Sequence, residues 1–190
     1  MTKLPTWSDG KCRCHWANPK NERYIKYHDT VWGMGVHDDA VLFEMLILET
    51  FQAGLSWECI LNKSDAFRHA FDNFDINAVC DYDAKKISEL SKNADIIRNG
   101  RKIAAAVNNA RVFRTIQCEY GTFDKYIWHW TDGRTIYEYG ITRSELSDKI
   151  SNDLRRRGMR FVGTTTIYAY LQAIGIINAH EPGCWRYKKL

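Results

Sequence analysis

Apolar residues recur along this chain mainly at spacings of three and four, the repeat that keeps one face of an α-helix buried. The clearest run is AVLFEMLILETFQA, residues 40–53, which Asp38 and Asp39 precede as capping residues and Gly54 follows as a stop. DAFRHAFDNF, residues 65–74, predicts a second, shorter helix. Residues 83–117 read as two helices joined by a tight turn at 94–99, with Ile87 and Leu90 facing inward on the first and Ile103, Val107 and Ala110 on the second. LSDKISNDLRRRG predicts a polar helix ending at Gly158, and GTTTIYAYLQAIGII a buried one that starts at a threonine cap and stops near Gly175. Residues 120–145 are aromatic and poorly periodic, and read as an irregular or partly extended cover over the helices.

The spacing reads as an all-α fold with its helical core over about 38–175, and length and composition limit it to one domain. The 190 residues are 45% hydrophobic and 26% charged, enough to bury a core without a second domain. No run approaches the roughly 18 apolar residues of a membrane span. The polar start MTKLPTWSDGKCRCHW lacks the apolar middle of a signal peptide, so a cytoplasmic protein is expected. In that setting the six cysteines are reduced thiols or metal ligands rather than disulfides, and Cys59, Cys80 and Cys118 read as packing thiols. The net charge of +4 permits an acidic partner without requiring one.

Three groupings carry possible chemistry. Cys12, Cys14, His15 and His28 gather near the start, and His180 and Cys184 near the finish. A structural zinc takes four Cys or His ligands, so one thiolate and one imidazole from each end would make a Cys2His2 site that ties the termini together. On spacing alone, His180 and Cys184 read equally well as unrelated tail residues. Glu49 lies three residues after Leu46, four after Met45 and seven after Leu42, on the stripe facing the core. A carboxylate there is satisfied by a structural partner or is held for a ligand. Trp16, Tyr24, Tyr27, Trp32 and Trp57 lie nearby in sequence, either as packing or as the walls of a slot for a flat, cationic heterocycle. Finally, NADIIRNGRKI could offer backbone amides together with Arg98, Arg101 and Lys102 to a phosphate, and DLRRRGMRF is a second basic cluster; solvated turns are the plainer reading of both.

Taken together, RCHW, YIKYHDTVWG, LFEMLILETFQAGLSW, ADIIRNGRKI, RGMRFVGTT and YLQAIGIINAHEPGC, in that order, resemble the bacterial DNA-3-methyladenine glycosylase I family, zinc-containing helix-hairpin-helix DNA glycosylases. The resemblance runs from about Cys14 to Cys184. It implies a structural Zn2+ on Cys14, His28, His180 and Cys184, with Trp16 fixing the register at Cys14 rather than Cys12, and joining segments of about 12–30 and 176–186. It implies Glu49 as the base-contacting, catalytic glutamate, Tyr27, Trp57, Tyr24 and Trp16 as pocket aromatics, and Gly54 and Leu55 as the turn that plugs the gap in the duplex. The implied activity is monofunctional: a monomer extrudes and hydrolyses 3-methyladenine from alkylated double-stranded DNA, leaving an abasic site. Thr50, Gly35, Ala179, Asp95 and Gly100 depart from the family pattern. Two readings compete with it: a non-catalytic module that binds distorted duplex, and a zinc hydrolase, which needs an open metal position.

Overall fold

A computed structural model describes residues 4–188; the first three and last two residues of the expected 1–190 domain lie outside the described residues. α2 (Asp39–Gln52) is the central element. Every residue from Met45 to Phe51 is buried, as expected of a helix that is apolar nearly all round, and α7 (Gly100–Tyr120), α8 (Phe123–His129) and α10 (Thr164–Ala173) pack against it. Asp38 caps it, its carboxylate accepting from the amides of Ala40 and Val41. Asp39 instead reaches across to accept from the amides of Phe123 and Asp124 and from Gln117, fixing the start of α8 and the end of α7 against α2.

The segment 65–74 forms α4 (Ser64–Ala70) and a short 3-10 turn, Asp72–Phe74. The paired helices are α6 (Ala84–Leu90) and α7, with Asn99 as the cap between them. α9 (Glu145–Arg156) opens with a reciprocal capping box of Ser144 and Ser147. Three helices lay outside the sequence reading: α1 (Glu22–Thr30), α3 (Trp57–Asn62) and α5 (Ile76–Cys80), each of nine residues or fewer and capped by Asn21, Ser56 and Asp75.

Three expectations need correction. The segment 120–145 is not simply irregular: it contains α8, whose Phe123, Tyr126 and Ile127 keep helical spacing and are fully buried behind the Thr122 cap. Its β1 (Ile136–Tyr137), which pairs in parallel with β2 (Ile177–Asn178), is the partly extended part expected of that segment. α10 starts at Thr164 with Gly163 as its N-cap and no side-chain cap; the Thr164 hydroxyl instead meets Ser147 Oγ at 2.9 Å. Cys118 is exposed, so only Cys80, which is buried, and Cys59, half-buried, pack as expected.

β2 leads the chain from α10 towards its terminal segment, and the approach depends on Gly175. Its φ is +77°, and a Cβ there would lie 2.2 Å from the Met34 carbonyl carbon. Only glycine lets the loop after α1 run against the end of α10, which places Gly33 beside His180. Among the described residues, no helix is long and apolar enough to cross a membrane.

Candidate functional site

At the junction of the chain ends, Cys14, His28 and Cys184 are buried with their ligand atoms all within 4.8 Å of one another. Their surroundings suit a metal. His28 Nδ1 faces Asp29 Oδ1 at 2.8 Å, so the proton belongs on Nδ1; the Nε2 lone pair is turned to the cysteines, meeting the Cys14 amide at 3.3 Å and Cys184 Sγ at 3.6 Å. The amide of Glu181 donates to Cys14 Sγ and that of Arg186 to Cys184 Sγ, the pattern expected around thiolates. The two thiols are hydrogen-bonded to one another, which favours ionisation of one of the pair.

His180 stands next to this trio rather than within it. Its ring centroid lies 5.0 Å from that of His28, Nδ1 meets Asn178 Oδ1 at 2.9 Å, and Nε2 faces the His28 carbonyl at 3.5 Å. Burial, reinforced by His28, pushes it down to about 4, so its imidazole is neutral at pH 7 and able to ligate. Asn178 Oδ1 also accepts from the His180 amide at 3.2 Å and so orients the ring. Cys12 stays apart, its Sγ 3.4 Å from Thr6 Oγ1, and His15 pairs with Glu181 instead.

Asp29 holds the junction together. It accepts from Arg13, His28 and Trp185, which outweigh the effect of burial and hold its carboxyl at about 2. Arg13, only 2% exposed, bridges Asp29 to Asp9.

The second feature is a cavity of about 390 Å³. Trp16, Tyr24, Tyr27, Trp32 and Trp57 line it, as do Glu49 and Gln52 from α2, and Tyr139, Ile141 and Thr142 close the far side. The size suits a small planar ligand. The rings form one continuous group: Tyr27 and Trp57 are 5.1 Å apart, Trp16 lies 5.2 Å from Tyr24, and Trp16 and Trp32 meet edge to face at 4.8 Å. Trp16 also touches His28, and Trp32 touches His180, so the cavity and the cysteine–histidine cluster share a wall.

Glu49 is 3% exposed and its Oε2 has no hydrogen-bond partner within the protein; burial pushes its carboxyl up to about 8. Trp57 Nε1 is likewise buried without a partner. The cavity therefore offers one open acceptor and one open donor among aromatic faces. Of the two uses open to Glu49 in the sequence, a structural partner is absent among the described residues. Thr50, which follows it, is absorbed locally: its hydroxyl donates to the Ile47 carbonyl at 2.7 Å.

Gly54 and Leu55 sit in the exposed turn after α2. Gly54 has φ +86° with nothing within 4 Å of a Cβ position, and Leu55 is 41% exposed. The turn is held from behind by Lys102, whose ammonium donates to the Phe51 carbonyl at 2.8 Å and the Ala53 carbonyl at 2.7 Å. Lys102 is thus buried and is not a free phosphate ligand, and the Asn99 side chain already occupies the amides of Arg101 and Lys102. Lys63 donates to the carbonyls of Ala94 and Asp95 in the hairpin turn. In the other basic cluster, Arg156 and Arg157 pair with Asp153, and Arg157 also with Glu119.

Sequence reasoning missed Gln52 and the Tyr139–Thr142 wall. Gln52 lies three residues after Glu49, a helical spacing that was available; the wall depends on how a loop folds back.

Comparison with known proteins bears on this pair of sites. A family model described as methyladenine glycosylase matches residues 16–187. DNA-3-methyladenine glycosylase 1 of Escherichia coli (strain K12) is 36% identical over 181 residues, spanning 92% of this chain and 96% of its own length. The DNA-3-methyladenine glycosylase of Haemophilus influenzae is 34% identical, spanning 90% and 96%. Among solved structures, the 3-methyladenine DNA glycosylase I of Staphylococcus aureus, whose structure concerns recognition of 3-methyladenine, aligns with a TM-score of 0.87 at 34% identity, over 90% of this chain and 94% of its own. A Tyr→Phe variant of 3-methyladenine DNA glycosylase I in complex with 3-methyladenine aligns with a TM-score of 0.86 at 34% identity, over 90% and 95%.

Proposed function

The chain belongs to the methyladenine glycosylase family, and on that premise we propose that it is a monofunctional DNA glycosylase that excises 3-methyladenine from alkylated double-stranded DNA in base excision repair. The observation that carries this reading is the Glu49 carboxyl, left without a partner in an aromatic cavity. Methylation at N3 gives adenine a positive charge within the nucleotide. Once the base is extruded, aromatic faces and a carboxylate bind that cation, and its arrival favours ionisation of Glu49. Trp57 Nε1 supplies the complementary donor.

The cationic base is a good leaving group and needs little acid help. The N9–C1′ bond breaks with its electron pair going to the base, water adds at C1′, and the water proton passes to solvent, leaving an abasic site. Glu49 holds and orients the base, Tyr27, Trp57, Tyr24 and Trp16 stack around it, and Gly54 with Leu55 fill the space it vacates in the duplex. α6, its turn and α7 form the helix-hairpin-helix that meets the DNA backbone, through Arg98 and Arg101 rather than Lys102.

The donor set at the termini fits zinc, with Cys14, His28 and Cys184 joined by His180 as fourth ligand. Bound by these four residues, a zinc ion would tie the chain ends behind the pocket, a structural rather than a catalytic part. The enzyme is expected to act as a monomer in the bacterial cytoplasm.

The test is release of free 3-methyladenine from alkylated duplex by the purified protein, beside Glu49→Gln at equal fold and metal content. Release by wild type alone is expected. Binding without release would leave a DNA-binding module instead.

A further inference from the structure

Phe161 is a large apolar residue in a place that burial does not explain. Its backbone is left-handed, φ +57°, a conformation that a bulky side chain adopts only under constraint. The constraint is visible on both sides. Asn109, fully buried, accepts from the Arg160 amide at 2.8 Å and donates to the Arg160 carbonyl at 2.9 Å. Asn108 donates to the Gly158 carbonyl at 2.8 Å, and Ser151 to the Val162 carbonyl at 2.7 Å. Met159 and Val162 are pulled into the core, whereas Phe161 between them is 38% exposed. The result of these clamps is an aromatic ring presented to solvent.

The ring stands at a particular place. Its centroid is 5.9 Å from the ammonium of Lys102, the same ammonium that bonds the Ala53 carbonyl just before Gly54 and Leu55. Arg160 precedes it in sequence and Arg101 precedes Lys102 on α7; both are exposed, and among the described residues neither forms an ion pair. An exposed ring, an exposed leucine and unpaired cations make a surface suited to unstacked bases between phosphates.

We propose that Phe161 is a second duplex-contacting wedge, which stacks on the base left without a partner when the lesion is extruded, while Leu55 fills the vacated space. This rests on the glycosylase reading above. Lys102 links the two wedges, so they are set relative to one another before DNA arrives.

The test uses the full-length protein with Phe161→Gly, Phe161→Ala and Phe161→Tyr. Glycine removes the ring and relieves the left-handed strain, so Phe161→Gly should unfold no lower than wild type. Each is titrated with a duplex carrying 2-aminopurine opposite a stable abasic-site analogue, whose fluorescence reports stacking on that base. Each is also assayed for excision from alkylated duplex and for binding of free 3-methyladenine. Wild type and Phe161→Tyr should change the fluorescence alike. The glycine and alanine variants should lose that change and fall about 5- to 150-fold in kcat/KM on duplex, the range expected for one lost base–aromatic stack. Their affinity for the free base should be unchanged. Wild-type fluorescence and excision in the glycine variant overturn the proposal, as does a loss of activity that merely follows a fall in Tm. A wild type that gives the fluorescence change but releases no base refutes the glycosylase reading while leaving Phe161 to be judged on stacking alone.

Discussion

Around Asp29 the polar atoms are matched to one another; around Glu49 they are left open. Asp29 takes hydrogen bonds from Arg13, His28 and Trp185, and the thiols of Cys14 and Cys184 receive backbone amides. In the cavity that shares the wall of Trp16 and Trp32, Glu49 Oε2 and Trp57 Nε1 are buried with nothing to bond. An unpaired buried polar group costs about 1–3 kcal/mol, so the second arrangement persists only where something else compensates. The saturated region is organised around its own donors and acceptors, which suits a metal that stays. The unsaturated region is organised around a molecule that comes and goes.

The largest effect should come from breaking the saturated side. Cys14→Ala removes one thiolate from the buried trio, and zinc content is expected to fall from about one per chain to near zero. The resulting loss of several kcal/mol corresponds to a Tm lower by about 10 °C at this chain length. Because Trp16 and Trp32 join the two regions, affinity for 3-methyladenine should fall with it. Unchanged zinc and Tm in this variant would remove the metal from the proposal.

Breaking the open side should have the opposite signature. Glu49→Gln is expected to lose about 10²- to 10³-fold in kcat/KM, the size typical of removing one electrostatic contact to a developing charge. Stability should not fall. In the folded protein the carboxyl titrates at about 8 rather than near 4.5, so between those values the native state keeps a proton that the unfolded chain has lost. Wild-type stability therefore declines as pH rises through that window, and Glu49→Gln should be more stable than wild type at pH 8 by roughly a few kcal/mol yet equal to it at pH 4. The same ionisation should make wild-type kcat/KM rise with pH up to about 8. A flat wild-type stability difference across that range would show that Glu49 is not the unpaired acid described here.

Asp29→Asn gives a smaller perturbation of the saturated side. It keeps the shape but weakens the acceptor that orients His28 Nδ1, and zinc affinity measured by chelator competition should drop about 10- to 100-fold. Excision at saturating zinc should be almost unchanged, which separates a holding role from a chemical one.

The two regions also differed in how far they were legible beforehand. Glu49 was visible as a carboxylate on an apolar stripe, because helical spacing alone places it inside. Cys14, His28 and Cys184 come from both ends of the chain, and spacing left their meeting undecided until the resemblance supplied it. α8 was hidden because its aromatic spacing looked irregular amid neighbouring exposed residues, although Thr122 and the Phe123, Tyr126, Ile127 pattern were present. The wall formed by Tyr139 to Thr142 has no local signal at all, since its position follows from the β1–β2 pairing of distant segments.

Lys102 shows most clearly what sequence could not settle, and it gives the smallest predicted effect. In the sequence it is one of three cations at a hairpin; in the fold it is 5% exposed, with burial lowering its pKa, and it bonds two carbonyls behind the Gly54–Leu55 turn. Lys102→Met preserves most of the apolar stem but leaves those carbonyls without their donor, at a cost of about 1–3 kcal/mol and a Tm lower by about 5 °C. Excision should fall about 10-fold as the turn loosens, while binding of free 3-methyladenine stays at the wild-type level, because Glu49 and Trp57 do not depend on this ammonium. Salt dependence of duplex binding decides between the two roles. A lysine that neutralises a phosphate takes about one unit from the slope of log K against log salt when it is removed, whereas one that braces a turn leaves the slope unchanged. Arg101→Met, at the neighbouring exposed position, should reduce that slope and leave Tm unaltered.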